Sequence, residues 1–102
     1  MKLRELLRDV PVRASRGNVD IEIASVTADS RLASAGSLFV AVPGFKTDGA
    51  RFIDSALSKG AAAVVSETTA SAPVLIEVDD SRAALATIAA NFYGRPASHQ
   101  LR

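Results

Sequence analysis

A chain of 102 residues has room for one domain with a real core and not for two. Its composition, 48% apolar and 23% charged, is that of a soluble globular protein. A formal net charge of +1 with scattered basic residues leaves no electrostatic footprint for nucleic acid or an acidic surface. Cysteine is absent, which excludes disulfides and thiolate metal sites and fits a reducing compartment.

The first segment, MKLRELLRDVP, sets charges inside its apolar pattern and is no secretory signal. Leu3, Leu6, Leu7 and Val10 follow helical spacing, so a short amphipathic helix is expected over 2–9, ended by Pro11. Val19, Ile21 and Ile23 alternate with Asp20 and Glu22, the pattern of a strand with one wet face. Residues 25–28 continue that strand or form a second one. After the turn signal at 34–37, LFVAV (38–42) is too short for a helix and reads as a strand buried on both faces. Phe52, Ile53, Ala56 and Leu57 give one apolar face to a helix over 51–59, with Gly60 where a C′ glycine belongs.

Two more strands are expected at AAAVVS (61–66) and VLIEV (74–78). Asp80 then caps a helix bearing Leu85, Ile88, Ala89 and Phe92, closed by Gly94 and Pro96. Strand, helix and strand in that order form right-handed βαβ units. The expected fold is a three-layer α/β/α domain whose four- to five-stranded sheet is parallel or mixed, with two main helices. No apolar run nears the roughly 20 residues of a membrane helix, so a cytoplasmic protein without a membrane partner is expected.

Catalytic constellations are missing: there is no Walker loop, no G-x-G-x-x-G, no G-x-S-x-G and no H-E-x-x-H. His99, the single histidine, sits in a patternless tail with nothing to orient it, and Asp79-Asp80 is explained by helix capping. Polar residues do gather where two apolar runs stop, at Asp29-Ser30-Arg31 and at Gly44-Phe45-Lys46-Thr47-Asp48-Gly49. Glycines let backbone amides approach a phosphate, Lys46 brings charge and Thr47 a hydroxyl. Either segment alone is more often just a turn or a loop.

The order of these parts resembles a known family. TADSR, a spacer, GSLFVAVPG, then DG and FI, is similar to the N-terminal domain of the Mur ligases. The later GAAAVV, V-x-DSRAALA and FYG-x-P narrow the resemblance to the MurE type, and it spans about 3–98. That type adds the third amino acid to UDP-N-acetylmuramoyl-L-alanyl-D-glutamate with ATP in peptidoglycan synthesis; MurF-type ligases share the first half of the pattern. The resemblance implies that residues 1–98 bind the uridine diphosphate of the substrate and that 99–102 begin a linker to an ATPase domain lying, with a C-terminal domain, outside this chain. Substrate contacts carried over are Ala28, Ser30, Phe45, Lys46 and Thr47, supported by Asp29, Arg31, Gly44, Asp48 and Gly49. Many relatives have histidine where Ala50 stands. No catalytic residue and no metal site are implied here; ATP and Mg²⁺ belong to the central domain. The other readings are a MurF-type domain and a stand-alone nucleotide-sensing or interaction module of the same fold. The parent ligase can add lysine or diaminopimelate, a choice its C-terminal domain makes.

Overall fold

Strands buried on both faces need a layer on each side, and the structure supplies one from the chain's outer helices and one from its crossovers. The computed structural model describes residues 1–42 and 52–94. In chain order the elements are α1 (Leu3–Leu6), β1 (Val12–Arg16), β2 (Ser25–Thr27), a 3-10 turn (Ser30–Leu32), β3 (Ser37–Val40), α2 (Ile53–Ser58), β4 (Ala63–Ser66), β5 (Leu75–Val78) and α3 (Ser81–Phe92).

The five strands form one mixed sheet in the order β1-β5-β4-β3-β2, with β2 to β5 parallel and β1 antiparallel to β5. Successive strand side chains point to opposite faces. Leu38, Val40, Val65 and Ile76 therefore join Leu3 and Leu6 of α1 and Ile88 of α3 in one core. Phe39, Val64 and Leu75 join Ile53 and Ala56 of α2 in another. This is the expected α/β/α sandwich.

All three crossovers between parallel strands touch the second core: Ala33 before β3, α2 before β4, and Ala70 and Ala72 before β5. Right-handed crossovers that keep stepping in one direction stay on one face of the sheet. The strand order follows from that, and so does the open opposite face that α1 and α3 cover. Gly60 shows how closely the crossovers pack. Its φ of 105° ends α2, and a Cβ there would lie 2.9 Å from the Cα of Ala35. The N–H of Gly36 donates to the Gly60 carbonyl at 3.0 Å. Only glycine satisfies both the left-handed conformation and the contact.

Several expectations are corrected. The strand expected at Val19–Ile23 is absent, although its alternation is real: Ile23 is buried while Asp20 and Glu22 are exposed. Its carbonyls pair instead with the start of α1, Leu3 N–H to Ile21 at 2.9 Å and Arg4 N–H to Val19 at 2.9 Å. First-turn helix amides have no partner inside the helix, so this extended segment satisfies them. The edge strand β1 carries no apolar alternation because all five of its residues are exposed. The first helix is shorter than expected, turning after Leu6 and reversing at Asp9, whose φ is 66°. Phe52 precedes α2 rather than joining its buried face and remains 40% exposed.

Candidate functional site

Parallel strands bring their carboxyl ends to one edge of the sheet, where open α/β sheets bind ligands. The TADSR segment leaves β2 at that edge, where Thr27 is paired with Phe39 of β3. The hydroxyl of Thr27 accepts from the Asp29 N–H at 3.0 Å and donates to the Asp29 carbonyl at 3.2 Å. Asp29 repeats the device one step on. Its carboxylate accepts from the Arg31 N–H at 2.9 Å and takes the guanidinium at 3.0 Å from Nε and 2.7 Å from Nη2. Side-chain acceptance of nearby amides is what fixes Asx and Thr turns. The two clamps meet at Asp29, and Ser30 lies inside the second.

Ser30 is buried, whereas Ala28, Arg31 and Leu32 are exposed. Buried polar side chains ordinarily have partners. Those of Ser37, Ser66, Ser81 and Asn91 do: a backbone amide, Thr68, Glu67, and two carbonyls respectively. Among the described residues the Ser30 hydroxyl has none.

Hydrogen bonds from Arg31 hold the Asp29 carboxyl at about 2, below the ordinary 3.8. Because the folded value is the depressed one, the unfolded chain binds more protons in acid. The stabilisation is therefore complete above the ordinary carboxylate value and is lost as pH falls through about 2. In an NMR titration the Asp29 carboxyl should titrate near that value, and Arg31→Ala should return it toward the ordinary range. An unchanged midpoint would show that the ion pair does not form in solution.

A second polar group occupies the same edge beside β1, β5 and β4. Arg13 donates to Asp79 at 2.8 Å and to the Glu67 carbonyl at 2.7 Å, and lies 3.5 Å from Glu77. The Glu67 carboxylate accepts from the N–H and hydroxyl of Ser81 at 2.8 and 2.9 Å, while Asp80 accepts from the Ala83 N–H at 3.1 Å. The expected cap at Asp80 is present, and Glu67 adds a second. Two of the chain's own carboxylates thus occupy the start of α3, the position an anionic ligand would favour. Sequence reading missed Arg13 and Glu67 because their partners lie more than a dozen residues away, with no local spacing to mark them.

The other half of the expected site, Gly44 to Gly49 with Phe45, Lys46 and Thr47, lies outside the described residues, as do Ala50 and His99. Residues 41 and 42 continue from β3 at the same edge as Thr27, with the Ala41 N–H bonded to the Val65 carbonyl at 2.8 Å. Among the described residues no three His, Asp or Glu side chains gather as metal ligands, and no helix is long and apolar enough to cross a membrane.

Comparison with known proteins gives a consistent picture. A family model described as Mur ligase family, catalytic domain, matches residues 22–93. The chain is 40% identical over 99 residues to a UDP-N-acetylmuramoyl-L-alanyl-D-glutamate–2,6-diaminopimelate ligase of Syntrophomonas wolfei, covering 94% of this chain and 20% of that protein. It is 47% identical over 100 residues to a UDP-N-acetylmuramyl-tripeptide synthetase of a Roseiflexus species, with the same coverage of each. Among solved structures, MurF of Acinetobacter baumannii superposes with a TM-score of 0.77 at 24% identity, over 88% of this chain and 20% of that one, a likeness of fold. The chain spans about a fifth of the length of the curated relatives it matches.

Proposed function

Since this chain belongs to the Mur ligase family, we propose that it is the portion of a MurE-type ligase that holds the uridine diphosphate of UDP-N-acetylmuramoyl-L-alanyl-D-glutamate. Ser30 carries this reading: a buried hydroxyl without a hydrogen bond among the described residues, held by two clamps at the carboxyl edge of a parallel sheet. A nucleotide oxygen would supply the missing partner. Ala28 lies beside it, and Phe45, Lys46 and Thr47 are proposed to complete the contact from the segment after β3. Gly44, Asp48 and Gly49 are proposed to support that contact.

The domain's part in the reaction is anchoring. Binding energy gained on the remote nucleotide fixes the position of the reacting carboxylate, and so lowers the barrier elsewhere in the ligase. ATP and Mg²⁺ belong, on this reading, to the remaining domains of the parent protein, which works in the cytoplasm on a soluble nucleotide precursor. Two observations compete over the ligase type. The solved neighbours include MurF ligases: those of Acinetobacter baumannii, at 24% identity, speak for fold alone, and that of Thermotoga maritima is 36% identical but covers 64% of this chain, with a TM-score of 0.57. Sequence relatives at 40 and 47% identity carry names of enzymes that form the tripeptide, which favours the MurE type.

Titrating UDP into isotope-labelled protein should shift the amides of 28–31 and of the 44–49 segment. Ser30→Ala should weaken binding by about 1–3 kcal/mol, the loss of a hydrogen bond to a charged group, without changing the unfolding midpoint. Shifts confined to other residues would overturn the assignment.

A further inference from the structure

Thr27 is the last residue of β2 and lies outside the set of substrate contacts, yet its hydroxyl makes both hydrogen bonds that start the TADSR turn. We propose that Thr27 is a positioning residue: it sets the conformation in which Ser30 is presented to the nucleotide, without touching the ligand itself. The inference rests on the UDP-binding reading of this edge.

The geometry is a relay of two clamps. Thr27 Oγ1 fixes both the amide and the carbonyl of Asp29. Asp29, so oriented, accepts the Arg31 amide and caps the single turn Ser30–Leu32. Each clamp spans two residues, and Ser30 lies inside the second. The first clamp is anchored in the sheet, because Thr27 pairs with Phe39, a residue 1% exposed in the interior strand β3. The second is fixed less directly: Arg31 is exposed and its guanidinium bonds back to Asp29, while the far end of the turn is held by Ala33, buried in the same core as Phe39. The start of the turn is therefore registered against the sheet through the Thr27 hydroxyl, and its end through Ala33. Without that hydroxyl, Asp29 and Arg31 can still pair as ions and Ala33 can still pack, but the Asp29 backbone loses both side-chain bonds that tie it to the end of β2. The chemistry required is a hydroxyl on a strand-compatible side chain; a methyl in its place can neither accept nor donate.

Thr27→Val keeps the branched shape and the β preference while removing the hydroxyl, and Thr27→Ser restores the hydroxyl on a smaller side chain. In the ligand-free protein, amide exchange at Asp29 and Arg31 should accelerate at least tenfold in Thr27→Val and return toward the parent rate in Thr27→Ser. The remaining amides should keep their shifts. Titrated with UDP, Thr27→Val should bind at least tenfold more weakly, with Thr27→Ser recovering most of the loss. Adding Ser30→Ala to Thr27→Val should cost little more, because the two act on one contact. Parent protein that binds UDP no better than Thr27→Val does would overturn the positioning role alone. Parent protein that ignores UDP altogether would overturn the substrate reading, and the role with it. Unchanged exchange at Arg31 in Thr27→Val would overturn the relay whatever the UDP result.

Discussion

Replacing Phe39 with alanine should lower the stability of the domain by about 3–5 kcal/mol. Phe39 is 1% exposed at the centre of β3 and faces α2. Its neighbours in that core include Ala33, Ala41, Ala56 and Ala61, side chains too small to swing into a cavity. The cost of a large-to-small change grows with the cavity left behind, so this site belongs at the upper end of the range. For a single domain whose total stability is of order 5–15 kcal/mol, such a loss takes about a fifth of it or more. Urea unfolding should show a lower midpoint with an unchanged slope. Phe39→Leu, which keeps most of the volume, should cost less than half as much. A loss under about 1 kcal/mol for the alanine variant would mean that this layer is not tightly packed.

The second large effect is expected at Asn91, a buried amide on α3. Its Nδ2 donates to the carbonyls of Leu6 at 3.0 Å and Arg8 at 2.9 Å, near the end of α1. Helix-terminal carbonyls have no partner within the helix, so this one side chain serves two acceptors at once. Asn91→Leu preserves volume and removes both bonds, leaving the Leu6 carbonyl in an apolar layer. The expected loss is about 2–4 kcal/mol, the cost of unpaired buried acceptors. It should come with faster amide exchange in α1 while β3 and β4 keep their protection. If Asn91→Leu unfolds at the parent midpoint, the amide does not tie the two helices together.

What could be read from the sequence follows from where burial leaves a local mark. β3, β4 and β5 are covered on both faces, so they stand out as short unbroken apolar runs, and Asp80 marks the start of α3. β1 has no such mark: Val12, Arg13, Ala14, Ser15 and Arg16 are all exposed, and the strand exists through its ladder to β5. Val19 to Ile23 misled for the opposite reason. Its alternation reports burial correctly, but period two says nothing about whether the bonded partner is a strand or the amides of a helix start. At the site, TADSR was visible through its resemblance to a family, and its chemistry was not. The burial of Ser30 and the bonds of Thr27 depend on where β2 meets β3. Arg13, Glu67 and Asn91 were silent because each finds its partners far along the chain.

The strand order also has a consequence for the sequence of events in folding. β2, β3, β4 and β5 pair each with the next in the chain, so during synthesis every new strand meets a neighbour already present. β1 comes first but finds its strand partner last, Val12 pairing with Val78, and α1, whose first amides meet residues 19 and 21 early, waits for Asn91 to bond Leu6 from 85 residues later. Leu3 and Leu6 share a core with Ile23, Leu38 and Val40, which are made early, but its cover by Ala84 and Ile88 is complete only once α3 is made. Long-range closures of this kind carry the loop entropy that slows folding. The step that joins the two ends of the chain should therefore come late, after the parallel sheet has begun to form.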